Sequence, residues 1–181
     1  MVNLLKVLAL IGSPRQGGNT DLLVEKLLDG AKTKGYTTEK RYLYDYNISL
    51  CKDCRECKKG DYVCCINDEM QIFYDLMESV DVIVFGTPLY WYGPSAKMKM
   101  LIDRMRPFVE NKKLQGKRAI IVCPSAEGPK ACDPMMEMFR RMFKYIEVEL
   151  AGAVFGTGYN KGVVTKNQEE LDKAYKLGTS L

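Results

Sequence analysis

The sequence contains no histidine in 181 residues. That absence removes Ser-His-Asp triads, Cys-His pairs, HExxH metal sites and every mixed Cys/His zinc site. Chemistry must therefore come from Cys, carboxylates, Arg or Lys, Tyr, backbone groups or a bound cofactor. Long apolar runs are missing too. The longest are about five residues, far short of the roughly 20 that a membrane-crossing helix needs. Blocks of one charge are also absent. The net charge is +4, with Lys, Asp and Glu interspersed, so the basic stripe of a nucleic-acid binder is not present. There is no internal repeat and no low-complexity linker. At the amino terminus, Lys6 interrupts the apolar run, no basic region precedes it and no small-residue cleavage site follows, so it does not read as a signal peptide.

What the chain does have is a core. Hydrophobic residues make up 46% and charged residues 28%, the balance of a globular protein of one domain. Seven cysteines are present, an odd number, and five of them fall between Cys51 and Cys65. A chain this long needs no disulfide staples, so a reducing cytoplasm is expected.

Leu4 to Ile11, Val82 to Phe85 and Ala119 to Cys123 are short runs apolar on both faces, as in strands buried in a parallel sheet. Tyr36 to Leu43 and Glu147 to Phe155 are weaker strands. Between them lie helical faces: Leu22 to Ala31, ended by Gly35; Ile72 to Val80, with Asp68 as N-cap; Lys97 to Met105; and the Met-rich Pro134 to Tyr145. Thr165 and Gln168 read as a capping box opening a last helix through Leu177. Five strands alternating with five helices predict a doubly wound α/β sheet. Residues 1–181 read as one domain, with an insertion-like loop at about 47–67 that carries the cysteine cluster.

After the first strand comes Gly12-Ser13-Pro14-Arg15-Gln16-Gly17-Gly18-Asn19-Thr20, then a helix. A glycine-rich turn entering a helix presents unpaired N–H groups and the positive end of the dipole, a cradle for phosphate. The Walker lysine is missing, because Asn19 follows Gly18. The GxGxxG fingerprint is missing too. A monophosphate fits better than a triphosphate or pyrophosphate. The third strand ends in Gly86-Thr87-Pro88-Leu89-Tyr90-Trp91-Tyr92-Gly93, where a flat aromatic ligand could stack. Three aromatics in a row cannot all face inward.

These segments, with Lys99-Met100-Leu101-Ile102-Asp103-Arg104, resemble the NADPH-dependent FMN reductase family of flavodoxin-like proteins, over roughly the first two-thirds of the chain. The resemblance implies a five-stranded sheet of order 2-1-3-4-5. It implies FMN held by its phosphate at Ser13, Arg15, Gly17, Gly18, Asn19 and Thr20, with its ring along Pro88, Leu89, Tyr90, Trp91, Tyr92 and Gly93. A third loop would come from Ser125, Glu127 and Gly128. The flavin carries the chemistry, so no catalytic side chain is expected, and Asp103 and Arg104 read as a helix-surface pair.

Cys51-x2-Cys54-x2-Cys57-x6-Cys64 is a second signal. Three thiolates two residues apart can wrap one face of a cubane and a fourth can close it. Two separated knuckles, the usual zinc pattern, are absent. The segment resembles the iron–sulfur flavoproteins, and this implies a [4Fe–4S] cluster on Cys51, Cys54, Cys57 and Cys64. NAD(P)H or a ferredoxin would be the donor, and a homodimer or homotetramer would bring one subunit's cluster to its neighbour's flavin. Neither nucleic acid nor membrane is expected as a partner. Three other readings stay open: a cluster-free NAD(P)H-dependent FMN or quinone reductase, a non-enzymatic electron carrier, and a zinc- or disulfide-stabilised binding module. Cys123 and Cys132 read as small apolar residues.

Overall fold

The computed structural model describes residues 5–181. Leu4, where the first strand was expected to begin, lies outside them. The strands are β1 (Lys6–Ile11), β2 (Thr37–Tyr42), β3 (Val82–Gly86), β4 (Leu89–Tyr90), β5 (Gly93–Pro94), β6 (Arg118–Ser125) and β7 (Glu149–Thr157). The helices are α1 (Asn19–Thr33), α2 (Met70–Glu78), α3 (Ala96–Arg104), α4 (Pro107–Asn111), α5 (Asp133–Tyr145) and α6 (Gln168–Thr179).

Five strands form one parallel sheet in the order β2-β1-β3-β6-β7. With the short β4/β5 hairpin set aside, this is the flavodoxin-like order 2-1-3-4-5. Helices cover both faces, which is why the inner strands read as unbroken apolar runs. Side chains alternate along β1. Leu8 and Leu10 join one core layer with α2, α3 and α5; Val7, Ala9 and Ile11 join the other with α1 and α6. Helices α1 and α6 cross at two glycines. A Cβ on Gly178 would stand 1.9 Å from the Leu27 carbonyl oxygen, and one on Gly30 would stand 2.2 Å from that of Tyr175.

Four expectations need correction. The element count of five and five omits the β4/β5 hairpin and the short α4. The last helix is capped by Asn167, whose side chain accepts from the Glu170 N–H. Thr165 instead donates to the Gly162 carbonyl inside a 3-10 turn. Helix α2 starts after Glu69, though the Asp68 carboxylate still accepts from the Met70 N–H. Asp103 does pair with Lys99 at the surface, but Arg104 is 1% exposed. Its guanidinium forks onto Asp68 at 2.8 and 3.1 Å and donates to the Ser49 carbonyl at 2.9 Å. Asp68 in turn accepts from the Ser49 N–H. The two ends of the cysteine loop are thus tied to one buried ion pair. Among the described residues no helix is long and apolar enough to cross a membrane.

Candidate functional site

β1 and β3 are neighbours, so their following loops meet at the carboxyl edge of the sheet, the usual ligand position in such folds. The Gly12 N–H donates to the Gly86 carbonyl at 2.7 Å. Ser95 then locks the two loops together. Its hydroxyl donates to the Gly12 carbonyl, and its N–H donates to the Thr87 hydroxyl at 2.9 Å. Gly18 caps α1 without a side chain, which leaves first-turn N–H groups of α1 without intrahelical partners.

These loops enclose a cleft of about 190 Å3. Ser13, Arg15, Asn19 and Thr20 line its helix end; Pro88, Leu89 and Tyr90 form one wall; Ser125 and Ala126 form another. Thr20 is 2% exposed, yet its hydroxyl has no hydrogen-bond partner among the described residues and faces this cleft. A second cleft of about 140 Å3 shares Leu89, Ser125 and Ala126 and adds Trp91, Tyr92 and Glu127. Free N–H groups, a guanidinium, an unpaired hydroxyl and an aromatic wall fit a flat ligand with a phosphate tail.

Gly17, Gly18, Gly93 and Gly128 do not line either cleft. The Gly17 N–H is held by Asp21 at 2.6 Å and the Gly18 N–H by the Arg15 carbonyl. Gly93 pairs with Tyr90 across the hairpin, and the Gly128 carbonyl accepts from the Ser125 hydroxyl. Asn19 lines the cleft, but its amide donates to the Gly158 and Asn160 carbonyls. That contact brings in a fourth loop, after β7, whose Gly158 and Tyr159 also line the cleft. The sequence reading did not include it; β7 reads as a weak strand, and nothing local marks the residues beyond it.

Asp21 supports the phosphate turn from behind. It is buried, and it accepts from Gly17, from Tyr42 at 2.8 Å and from Lys40 at 2.8 Å. Burial pushes its carboxyl up, but the Lys40 ammonium, the Gly17 N–H and the Tyr42 hydroxyl outweigh that and hold it below the usual range. The hairpin carries strain. Trp91 and Tyr92 have φ of 49° and 59°, the left-handed region of a tight two-residue turn, and Trp91 is 97% exposed.

Cys51, Cys54, Cys57 and Cys64 all line one small cavity, together with Lys52, Arg55 and Arg106. The donor set suits an iron–sulfur cluster, with cations at hand to offset thiolate charge. The cavity is about 20 Å3, room for about one water molecule. Among the described residues no three of these side chains converge as a metal site. The Cys54 thiol lies 3.5 Å from that of Cys65, outside the set of four. Burial and the neighbouring Cys64 push the Cys57 thiol up. Cys123 and Cys132 are buried with their sulfurs 3.7 Å apart.

A Bacillus subtilis protein named as an NAD(P)H-dependent FMN-containing oxidoreductase is 26% identical over 181 residues, with 96% of each chain covered. An iron–sulfur flavoprotein of Archaeoglobus fulgidus is 29% identical over 180 residues, covering 98% of this chain and 79% of that one. Among solved structures, an NAD(P)H:quinone oxidoreductase from Methanothermobacter marburgensis superposes with a TM-score of 0.79 at 17% identity, covering 98% of this chain and 96% of that one. The likeness to that structure is one of fold. The family model for NADPH-dependent FMN reductases matches residues 5–159, so the chain belongs to that family and is an oxidoreductase.

Proposed function

We propose that this oxidoreductase acts as one flavodoxin-like domain that holds FMN in the cleft at the sheet edge and a [4Fe–4S] cluster on Cys51, Cys54, Cys57 and Cys64. It would pass electrons from NAD(P)H or a ferredoxin to an acceptor. The observation that carries the reading is the convergence of both sequence motifs. The phosphate turn opens into a cleft with free N–H groups, and the four cysteines share one cavity. When bound, the two groups supply two-electron and one-electron chemistry. The chain supplies the rest. The first turn of α1, with Arg15, Ser13 and Thr20, binds the phosphate. Tyr90, Trp91 and Tyr92 wall the ring on the hairpin side, and Ser125 to Glu127 close the other side. Lys52 would offset thiolate charge, together with Arg55 and Arg106, which also pair with Asp53 at the same cavity. A homodimer or homotetramer in the cytoplasm, bringing cysteine loop and cleft of different subunits together, completes the reading.

A second reading has its own support. The thiol cavity has room for about one water and Cys54 faces Cys65, which suits a cluster-free NAD(P)H-dependent FMN or quinone reductase with redox-active thiols. Protein purified without oxygen decides between them by its visible spectrum, with iron and acid-labile sulfide assayed on the same sample. Flavin bands with about four irons per chain are expected. Flavin without iron overturns the cluster. Colourless protein that also refuses added FMN overturns the cleft assignment.

A further inference from the structure

The seven cysteines divide by exposure. Cys57, Cys123 and Cys132 are buried, Cys51 and Cys64 are half-buried, and only Cys54 and Cys65 are exposed. The two exposed thiols are also neighbours, with sulfurs 3.5 Å apart. Cys65 has no part in the cluster reading, and it does not line the cavity shared by Cys51, Cys54, Cys57 and Cys64. Cys54 therefore faces two ways, towards that cavity and towards Cys65. Its backbone is held in an unusual shape. Asp53 and Arg55 flank it with φ of 48° and 63°, both in the left-handed region, and the Asp53 carboxylate is tied to Arg106 at 2.7 Å. Residues kept in such conformations concentrate where a side chain must be presented.

Closing 3.5 Å to the ~2.05 Å of a sulfur–sulfur bond takes about 1.5 Å of movement from two exposed side chains. Accessible thiols with a second thiol beside them are the ones that enter thiol–disulfide exchange. The other close pair, Cys123 and Cys132, is sealed in the core, out of reach of a partner in solution. We propose that Cys54 and Cys65 form a reversible disulfide, and that this bond and a cluster exclude each other because both need the Cys54 sulfur. The disulfide stands on the geometry of the pair; the exclusion rests on the reading of Cys54 as a cluster ligand. The oxidant is a small-molecule disulfide. One cysteine sulfur attacks it and releases a thiol, and the second cysteine attacks the resulting mixed disulfide and releases another. The two cysteine thiols give up two electrons and two protons, and the incoming disulfide leaves as two thiols. A dithiol reductant runs the step backwards.

The test uses the full chain, reduced and handled without oxygen, in iron-free and iron-loaded forms. Each is treated with oxidised glutathione, free thiols are alkylated, and tryptic peptides are read by mass spectrometry. Trypsin cuts after Lys52, Arg55, Lys58 and Lys59, so Cys51, Cys54 and Cys57 fall in separate peptides while Cys64 and Cys65 share one. Two variants tell the shared pair apart. In iron-free protein the Cys54 peptide is expected to be linked to the peptide of Cys64 and Cys65, in wild type and in Cys64→Ser but not in Cys65→Ser. Iron-loaded wild type is expected to resist the link and keep its iron. Cys65→Ser should bind about four irons per chain, as wild type does, and Cys64→Ser should bind fewer. No link in iron-free wild type, or a link that persists in Cys65→Ser, overturns the disulfide. A link formed while the iron is retained overturns the exclusion. If no form of the protein takes up iron, the cluster reading and the exclusion fail together, and the iron-free arm still decides the disulfide.

Discussion

Asp68 and Arg104 sit where neither charge could stay alone. Both side chains are nearly inaccessible, at 7% and 1%, and the Arg104 Nε is buried without a partner among the described residues. Burial raises the Asp68 carboxyl, but the Arg104 guanidinium and the Ser49 and Met70 N–H groups outweigh it and bring it down to about 2. A depressed carboxyl stabilises the fold above its unfolded value near 3.9, and that stability drains away as pH falls towards 2. The full contribution is roughly 2–3 kcal/mol, about half of it gone by pH 3. Asp68→Asn leaves a buried guanidinium short of its counter-charge, so the variant should be several kcal/mol less stable at pH 7. The gap to wild type should shrink by about 1 kcal/mol between pH 5 and pH 3, as the carboxyl of the unfolded chain takes up its proton while the native one stays ionised. Urea unfolding of both proteins at the two pH values measures it, and a gap that does not move with pH refutes the account. The same pair anchors both ends of the cysteine loop, so its loss should also quicken proteolysis between residues 50 and 66.

At the scale of one element, the β4/β5 hairpin works against its own sequence. Its two turn positions demand positive φ, which Asn and Gly adopt readily and aromatic residues do not. Here Trp91 and Tyr92 occupy them, at 97% and 51% exposure. Strain without packing gain is what side chains kept for a ligand would show, as the proposed FMN site requires. Replacing Trp91-Tyr92 by Asn-Gly should relieve about 1–2 kcal/mol and raise Tm by roughly 2–8 °C. The same change should weaken FMN binding by roughly 2–10-fold, the value of one aromatic contact. Thermal unfolding of flavin-free protein and a fluorescence titration with FMN report the two effects separately. Lower Tm with unchanged affinity would mean that the aromatics serve the fold. That Tyr90, Trp91 and Tyr92 cannot all face inward was legible in the sequence. The price of the turn's backbone was not, because turn type depends on how β4 and β5 pair.

For the whole molecule, legibility follows how local each signal is. β1 and β3 are buried on both faces, so their apolar runs and the helical faces between them are enough for the parallel sheet and its switch point. The phosphate turn is contiguous and could be read directly. Tertiary partnerships could not. Arg104 looks like a surface residue on its helix face until the cysteine loop folds over it, and the Gly158–Tyr159 wall is held by long-range partners, Asn19, Arg15 and the Ser125 carbonyl. The same holds for the glycines that let α6 lie on α1. Read along the chain, Gly30 and Gly178 are blemishes in two helices, each disfavoured relative to alanine. In the folded molecule they are where the helix backbones nearly touch. Helix α1 carries the phosphate turn at its other end, so α6 braces the cleft from behind. Gly178→Ala adds the atom that the Leu27 carbonyl excludes, and one helix must move away. The expected cost is about 3 kcal/mol, the upper part of the overpacking range, although alanine is the better helix former. Helix propensity alone predicts a gain of about 1 kcal/mol, so the sign of the change in a urea titration separates the two accounts. If packing dominates, folded Gly178→Ala protein should also bind FMN more weakly, because the displacement travels along α1 to Asn19 and Thr20.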